Sequence, residues 1–116
     1  MMGLVKFDAD QDNVVSGSYS QGRGPVLRSD NLEVTRIAFA EGEGADVHQH
    51  PEEQVMYVLS GRLRVTCGDE TYEVASGEAS FHPANVPHAV QAVEDTVGLS
   101  LKNQVAPIYE STGRLG

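Results

Sequence analysis

Turn signals punctuate this chain so often that only short strands fit between them. Gly42-Glu43-Gly44, Ser60-Gly61, Gly68-Asp69, Ser76-Gly77 and Pro83-Ala84-Asn85 interrupt β-rich runs about every eight to ten residues, the spacing of a sandwich or barrel. No uninterrupted apolar stripe of 3.6-residue period has useful length, so no helix is expected. Short strands leave many unpaired edges, and a closed or nearly closed barrel is the all-β architecture that protects them in so few residues.

Along the chain, residues 3–19 alternate loosely, with Val5, Phe7, Val14, Val15 and Tyr19 as a possible buried set. Ser20 to Asp30 carries Gly22, Gly24 and Pro25 among polar residues and reads as a long loop or lid. Asn31 to Ala40 has period two, with Leu32, Val34, Arg36 and Ala38 on one face and Glu33, Thr35, Ile37 and Phe39 on the other. Arg62–Cys67 and Glu70–Ala75 flank Gly68-Asp69, a two-residue loop of the kind that closes a hairpin. Val86 to Val93 and Thr96 to Val105 supply the last strands, and residues 107–116 read as a tail packed across the barrel or a dimer partner.

The chemistry concentrates in Gly42–Gly61, GEGADVHQHPEEQVMYVLSG. His48 and His50 are one residue apart, so in an extended strand both imidazoles leave the same face. Gln54 follows beyond Pro51-Glu52-Glu53 and offers an amide oxygen; if it begins a strand, Met56 and Val58 share its face while Val55, Tyr57 and Leu59 face away. His88, in a second stretch from Gly77 to Val90, is the fourth candidate ligand. Three imidazoles and one oxygen suit a single divalent transition metal such as Mn, Fe, Co, Ni or Zn. The alternative reading is that these are ordinary hydrogen-bonded histidines.

The order Gly42, five residues, His48, one residue, His50, three residues, Gln54, six residues, Gly61 resembles the first motif of the cupins. Gly77, five residues, Pro83, Asn85, two residues, His88 resembles their second motif. Gln54 stands where the family usually has Glu, Asn85 where it usually has Gly, and Ala92 where it usually has Asn. The resemblance implies a double-stranded β-helix, the cupin jelly-roll barrel, with one internal metal held by His48, His50, Gln54 and His88, and usually a homodimer. The HPEEQ run followed by VMYVLSGRLRV is similar to small cupins that open unsaturated uronate rings. Those proteins carry an acid in the last strand; here Ser100 or a near neighbour takes its place.

At 116 residues the chain reads as one domain, 1–116. Its formal net charge of −9 would repel a phosphate backbone, so nucleic acid and anionic membranes are disfavoured as partners and a small-molecule ligand or substrate is expected. No apolar run is long enough to span a bilayer and the first residues lack a secretory stretch, which makes the cytoplasm the default location. Cys67, the single cysteine, has no internal disulfide partner and reads as a small core or turn residue. Around the site, His82 reads as a rim or surface residue, with a pocket-facing proton shuttle as the alternative. Glu52, Glu53 and Tyr57 are acid–base candidates by proximity alone, and Arg23 and Arg28 are candidate carboxylate contacts on the loop. The expectation is a metal enzyme (lyase, isomerase or dioxygenase) acting on a small oxygen-rich metabolite such as a sugar acid, or a cupin that binds such a ligand without turnover.

Overall fold

A computed structural model describes residues 3–7 and 18–105. Nine strands run β1 (Val26–Arg28), β2 (Leu32–Phe39), β3 (Gly44–His48), β4 (Gln54–Ser60), β5 (Arg62–Cys67), β6 (Glu70–Ala75), β7 (Ala79–His82), β8 (His88–Ala92) and β9 (Thr96–Asn103). They form two antiparallel sheets, ordered β1-β2-β9-β4-β7 and β3-β8-β5-β6. From β2 onward the chain crosses between sheets at every connection except the β5–β6 hairpin. The result is the all-β barrel expected from the turn spacing, with the jelly-roll order that the cupin resemblance implies and no helix among the described residues.

The hairpin closes on Gly68-Asp69 with Cys67 opposite Glu70, as its sequence predicts. At the β4–β5 corner Gly61 has φ +95°, and a Cβ there would lie 2.3 Å from the carbonyl oxygen of Asp95. Both the turn conformation and the close backbone approach call for glycine. Asn85 is the one non-glycine residue with positive φ among the described residues, at +62°. Asparagine tolerates that left-handed conformation where most side chains do not, so it can serve where cupins usually place glycine.

The barrel interior is graded from polar to apolar. Inward residues run Glu33, Thr35, Ile37, Phe39 along β2, Gln54, Met56, Val58 along β4, and His88, Val90, Ala92 along β8, all buried. On β9 the order reverses with strand direction, so that Ser100 and Lys102 meet the polar end. Leu63, Val65, Val58 and Val74 anchor the apolar end, each such side chain contributing ~1.5–3 kcal/mol by burial. Cys67 belongs to this core, and burial raises its thiol pKa.

Some local expectations are corrected and others fall outside the described residues. Val5 is exposed; Phe7 and Tyr19 are half-buried; Val14, Val15 and the tail from 107 lie outside the described residues. The Ser20–Asp30 segment is a strap, joined to the barrel by bridges Ser20–Ala45 and Arg23–Ala38 and by β1. No helix of the described residues is long and apolar enough to cross a membrane.

Candidate metal centre

Strand register assembles the polar end of the barrel. His48 and His88 are direct partners on β3 and β8 of one sheet. Gln54 on β4 has His82 of β7 on one side and Lys102 of β9 on the other, in the facing sheet. His50 arrives differently from the sequence expectation: β3 ends at His48, and His50 sits in the following loop rather than in the same strand. The two rings still converge, because the loop buries His50 beside the strand that carries His48. Ring centroids are 4.3 Å apart for His48 and His88, 4.8 Å for His50 and His88, and 5.5 Å for His48 and His50.

Backbone carbonyls set the ring orientations. Nδ1 of His48 donates to the carbonyl of Asp46 (2.7 Å), Nδ1 of His50 to that of Glu52 (3.0 Å), and Nδ1 of His88 to that of Val86 (2.9 Å). A neutral imidazole whose Nδ1 carries the proton presents a lone pair on Nε2. Nε2 of His50 and Nε2 of His88 are both buried and accept no hydrogen bond. Buried polar atoms are seldom left so, and the three histidines offer ligand atoms all within 4.8 Å of one another, an arrangement that could hold a metal ion.

Burial also keeps these rings neutral. Removal from water is the largest influence on each: it lowers His48 and His50 from 6.5 to about 4, moves His88 in the same direction, and lowers His82 to about 3. Lys102, 5% exposed inside the barrel, pushes all four further down. Deprotonated nitrogens at neutral pH are what a metal requires of its ligands.

His82 is not at the rim. It is fully buried, with its ring 4.4 Å from that of His88. Nδ1 of His82 lies 3.0 Å from Oε1 of Gln54, whose Nε2 donates to Ser100 Oγ at 2.7 Å; Nε2 of His82 lies 2.8 Å from Ser80 Oγ, which is 2.5 Å from the Tyr72 hydroxyl. Tyr19 stacks flat on His48, centroids 3.8 Å apart and planes 8° from parallel, and lines the same cavity. The cavity, lined on its polar side by His48, His88, Gln54, His82, Ser100 and Lys102, amounts to about 30 Å³, room for roughly two waters. Met56 lines it as its strand face predicts.

The remaining acid–base and carboxylate candidates separate. Glu52 is buried, its carboxylate 3.6 Å from Nδ1 of His50, whereas Glu53 and Tyr57 face outward. Arg28 pairs with Glu33 at 2.9 Å and Arg23 is exposed; neither lines the cavity. Sequence reasoning missed Lys102 and the Tyr19 stack. The alternation that puts Lys102 on the same face of β9 as Ser100 was the available signal for the lysine; nothing local announces the stack.

Fold and site together define a small β-barrel with an internal histidine cluster at its polar end. The cupin-domain family model matches residues 35–101, more than half of the chain, and the protein belongs to the cupin family. An uncharacterized protein, SCO3923 of Streptomyces coelicolor, is 33% identical over 79 residues, covering 68% of this chain and 71% of its own length. Dimethylsulfoniopropionate lyase DddQ of Ruegeria pomeroyi is 28% identical over 74 residues, 63% of this chain; the match takes in 37% of the lyase. Among solved structures, KdgF from Halomonas sp. superposes with a TM-score of 0.75 over 90% of this chain and 96% of its own, at 22% identity, a likeness of fold.

Proposed function

We propose that this chain is a single-domain, mononuclear-metal cupin acting on a small oxygen-rich anion, with one divalent transition ion (Mn, Fe, Co, Ni or Zn) held by His48, His50 and His88 and with Gln54 as the fourth donor. The observation that carries this reading is the pair of buried, unpartnered Nε2 atoms on His50 and His88, beside a third histidine whose Nδ1 is likewise committed to a carbonyl. When bound, such an ion supplies Lewis-acid polarisation of a substrate oxygen. The carbonyls of Asp46, Glu52 and Val86 hold the ligand rings in one tautomer, as partners behind metal-ligating histidines commonly do.

Neutral ligands leave the full charge of a divalent ion in place, which favours an anionic substrate such as a carboxylate. Tyr19, stacked on His48, is part of the lining of the cavity that a small metabolite would enter. The lyase named among the relatives supports an elimination or isomerisation chemistry. A second reading, a cupin that holds metal and ligand without turnover, draws on one observation: among the described residues, no Asp or Glu lines the cavity.

An outward row, Val34, Leu101, Val55 and Phe81, crosses four strands of the larger sheet in register, with Phe81 53% and Leu101 38% exposed. It is the face on which we place the homodimer contact. The test of the metal reading is elemental analysis of protein purified without added metal, beside His48→Ala. One ion per chain in wild type and none in the variant is expected; equal metal in both would defeat the assignment.

A further inference from the structure

A line of hydrogen bonds runs from Tyr72 through Ser80, His82 and Gln54 to Ser100. It begins on β6 and passes at once to β7, the edge strands of the two sheets, so it ties the open side of the barrel before reaching the cavity. From Ser80 to Ser100 every side chain in it is buried, where water cannot substitute for a missing partner.

The line has a direction. Gln54 commits its amide nitrogen to Ser100, so its oxygen faces His82 and must accept from Nδ1–H. With its one proton on Nδ1, the neutral ring accepts at Nε2 from the Ser80 hydroxyl, and the Ser80 oxygen accepts in turn from Tyr72. Reversing one link alone would set two donors or two acceptors against each other, so the Gln54 amide and the His82 ring proton turn together or not at all. The Gln54 oxygen has two lone pairs; His82 occupies one and leaves the other, and Gln54 lines the same cavity as His48 and His88.

We propose that His82 is a positioning residue for the metal centre: it fixes which end of the Gln54 amide is oxygen and so presents an acceptor, not an NH₂ group, to the histidine cluster. The inference rests on the reading of Gln54 as the fourth donor. A rotated amide would aim N–H dipoles at a cation, which is the physical reason the orientation matters.

Co(II) titration followed by visible absorption tests it. Wild type is expected to bind one Co(II) per chain. His82→Leu, of similar volume but without a donor, weakens binding by roughly 10–100-fold, the usual scale for a lost partner behind a ligand, and alters the d–d bands. His82→Asn, whose amide nitrogen falls near the Nδ1 position, recovers most of the loss and the wild-type spectrum. Ser80→Ala, a gentler change that frees the ring to carry its proton on Nε2, shifts affinity and bands in the same direction as His82→Leu. Wild-type affinity and spectrum in either His82→Leu or Ser80→Ala overturn the proposal. Should wild type take up no Co(II), the metal reading falls, and the Gln54 side-chain NH₂ resonances of the metal-free protein decide the positioning: shifts and exchange rates unchanged by His82→Leu refute it, and altered ones uphold it.

Discussion

The backbone N–H of Asn85 donates to the carbonyl oxygen of His50 across 2.8 Å. This bond fastens the turn before His88 to the loop that carries His50, and so couples the two cupin motifs at the mouth of the site. It depends on a left-handed residue at position 85, φ +62°.

Asn85→Gly should therefore change stability little, within about 0.5 kcal/mol. Asn85→Val should cost about 1–2 kcal/mol or more, since a β-branched side chain resists positive φ. Urea unfolding midpoints with unchanged m-values measure both; equal midpoints for the valine and glycine variants would contradict this account of the turn.

Gln54→Glu should retain one metal per chain while lowering the charge of the loaded site from about +2 to about +1. Binding of a small dianion such as oxalate to the metal-loaded variant should weaken several-fold in calorimetric titration. Tighter oxalate binding in the variant would show that charge does not govern ligand choice here.

Acid should destabilise the metal-free protein before it affects most carboxylates. His48, His50 and His82 have folded values near 4, 4 and 3, against 6.5 for an ordinary imidazole, and His88 is also lowered. Below 6.5 the unfolded chain takes up protons that the folded chain refuses, so the stability contribution present above that pH is lost as pH falls toward 4. Bound metal should leave over the same window, because protons and the ion compete for the same nitrogens. Thermal melts from pH 7.5 to 4 with and without Zn(II) measure both trends; a melting temperature flat between pH 6.5 and 4.5 would speak against neutral, buried rings.

Tyr19→Ala removes the stack on His48 and one wall of the cavity. A loss of about 1 kcal/mol, the scale of an aromatic pair, is expected together with several-fold faster metal removal by EDTA. Stripping at the wild-type rate would mean that Tyr19 does not limit access.

Much of the fold was legible in the chain because it is written locally. Gly68-Asp69 between two alternating runs specified the β5–β6 hairpin to the residue, and Gln54, Met56 and Val58 share a buried face as their spacing requires. His82 was misplaced for an equally physical reason. Its neighbours Phe81 and Pro83 say nothing about β4, yet the β4–β7 register, a long-range pairing, sets it against Gln54 and excludes water from it.

Period and turn chemistry determined, from the sequence by itself, that this chain forms short strands in a barrel and that three histidines stand at spacings suited to one centre. Alternation states which residues share a face, but on a mixed strand such as β2 it cannot say which face turns inward; closure of the barrel chose the one bearing Glu33, Thr35, Ile37 and Phe39. Only the tertiary structure decided that the polar ends of separate strands coincide, that Lys102 and His82 are buried there, and that Tyr19 stacks on His48 beside them. Those outcomes depend on pairings between residues distant in sequence, whose free energy exists only once the sheets have met.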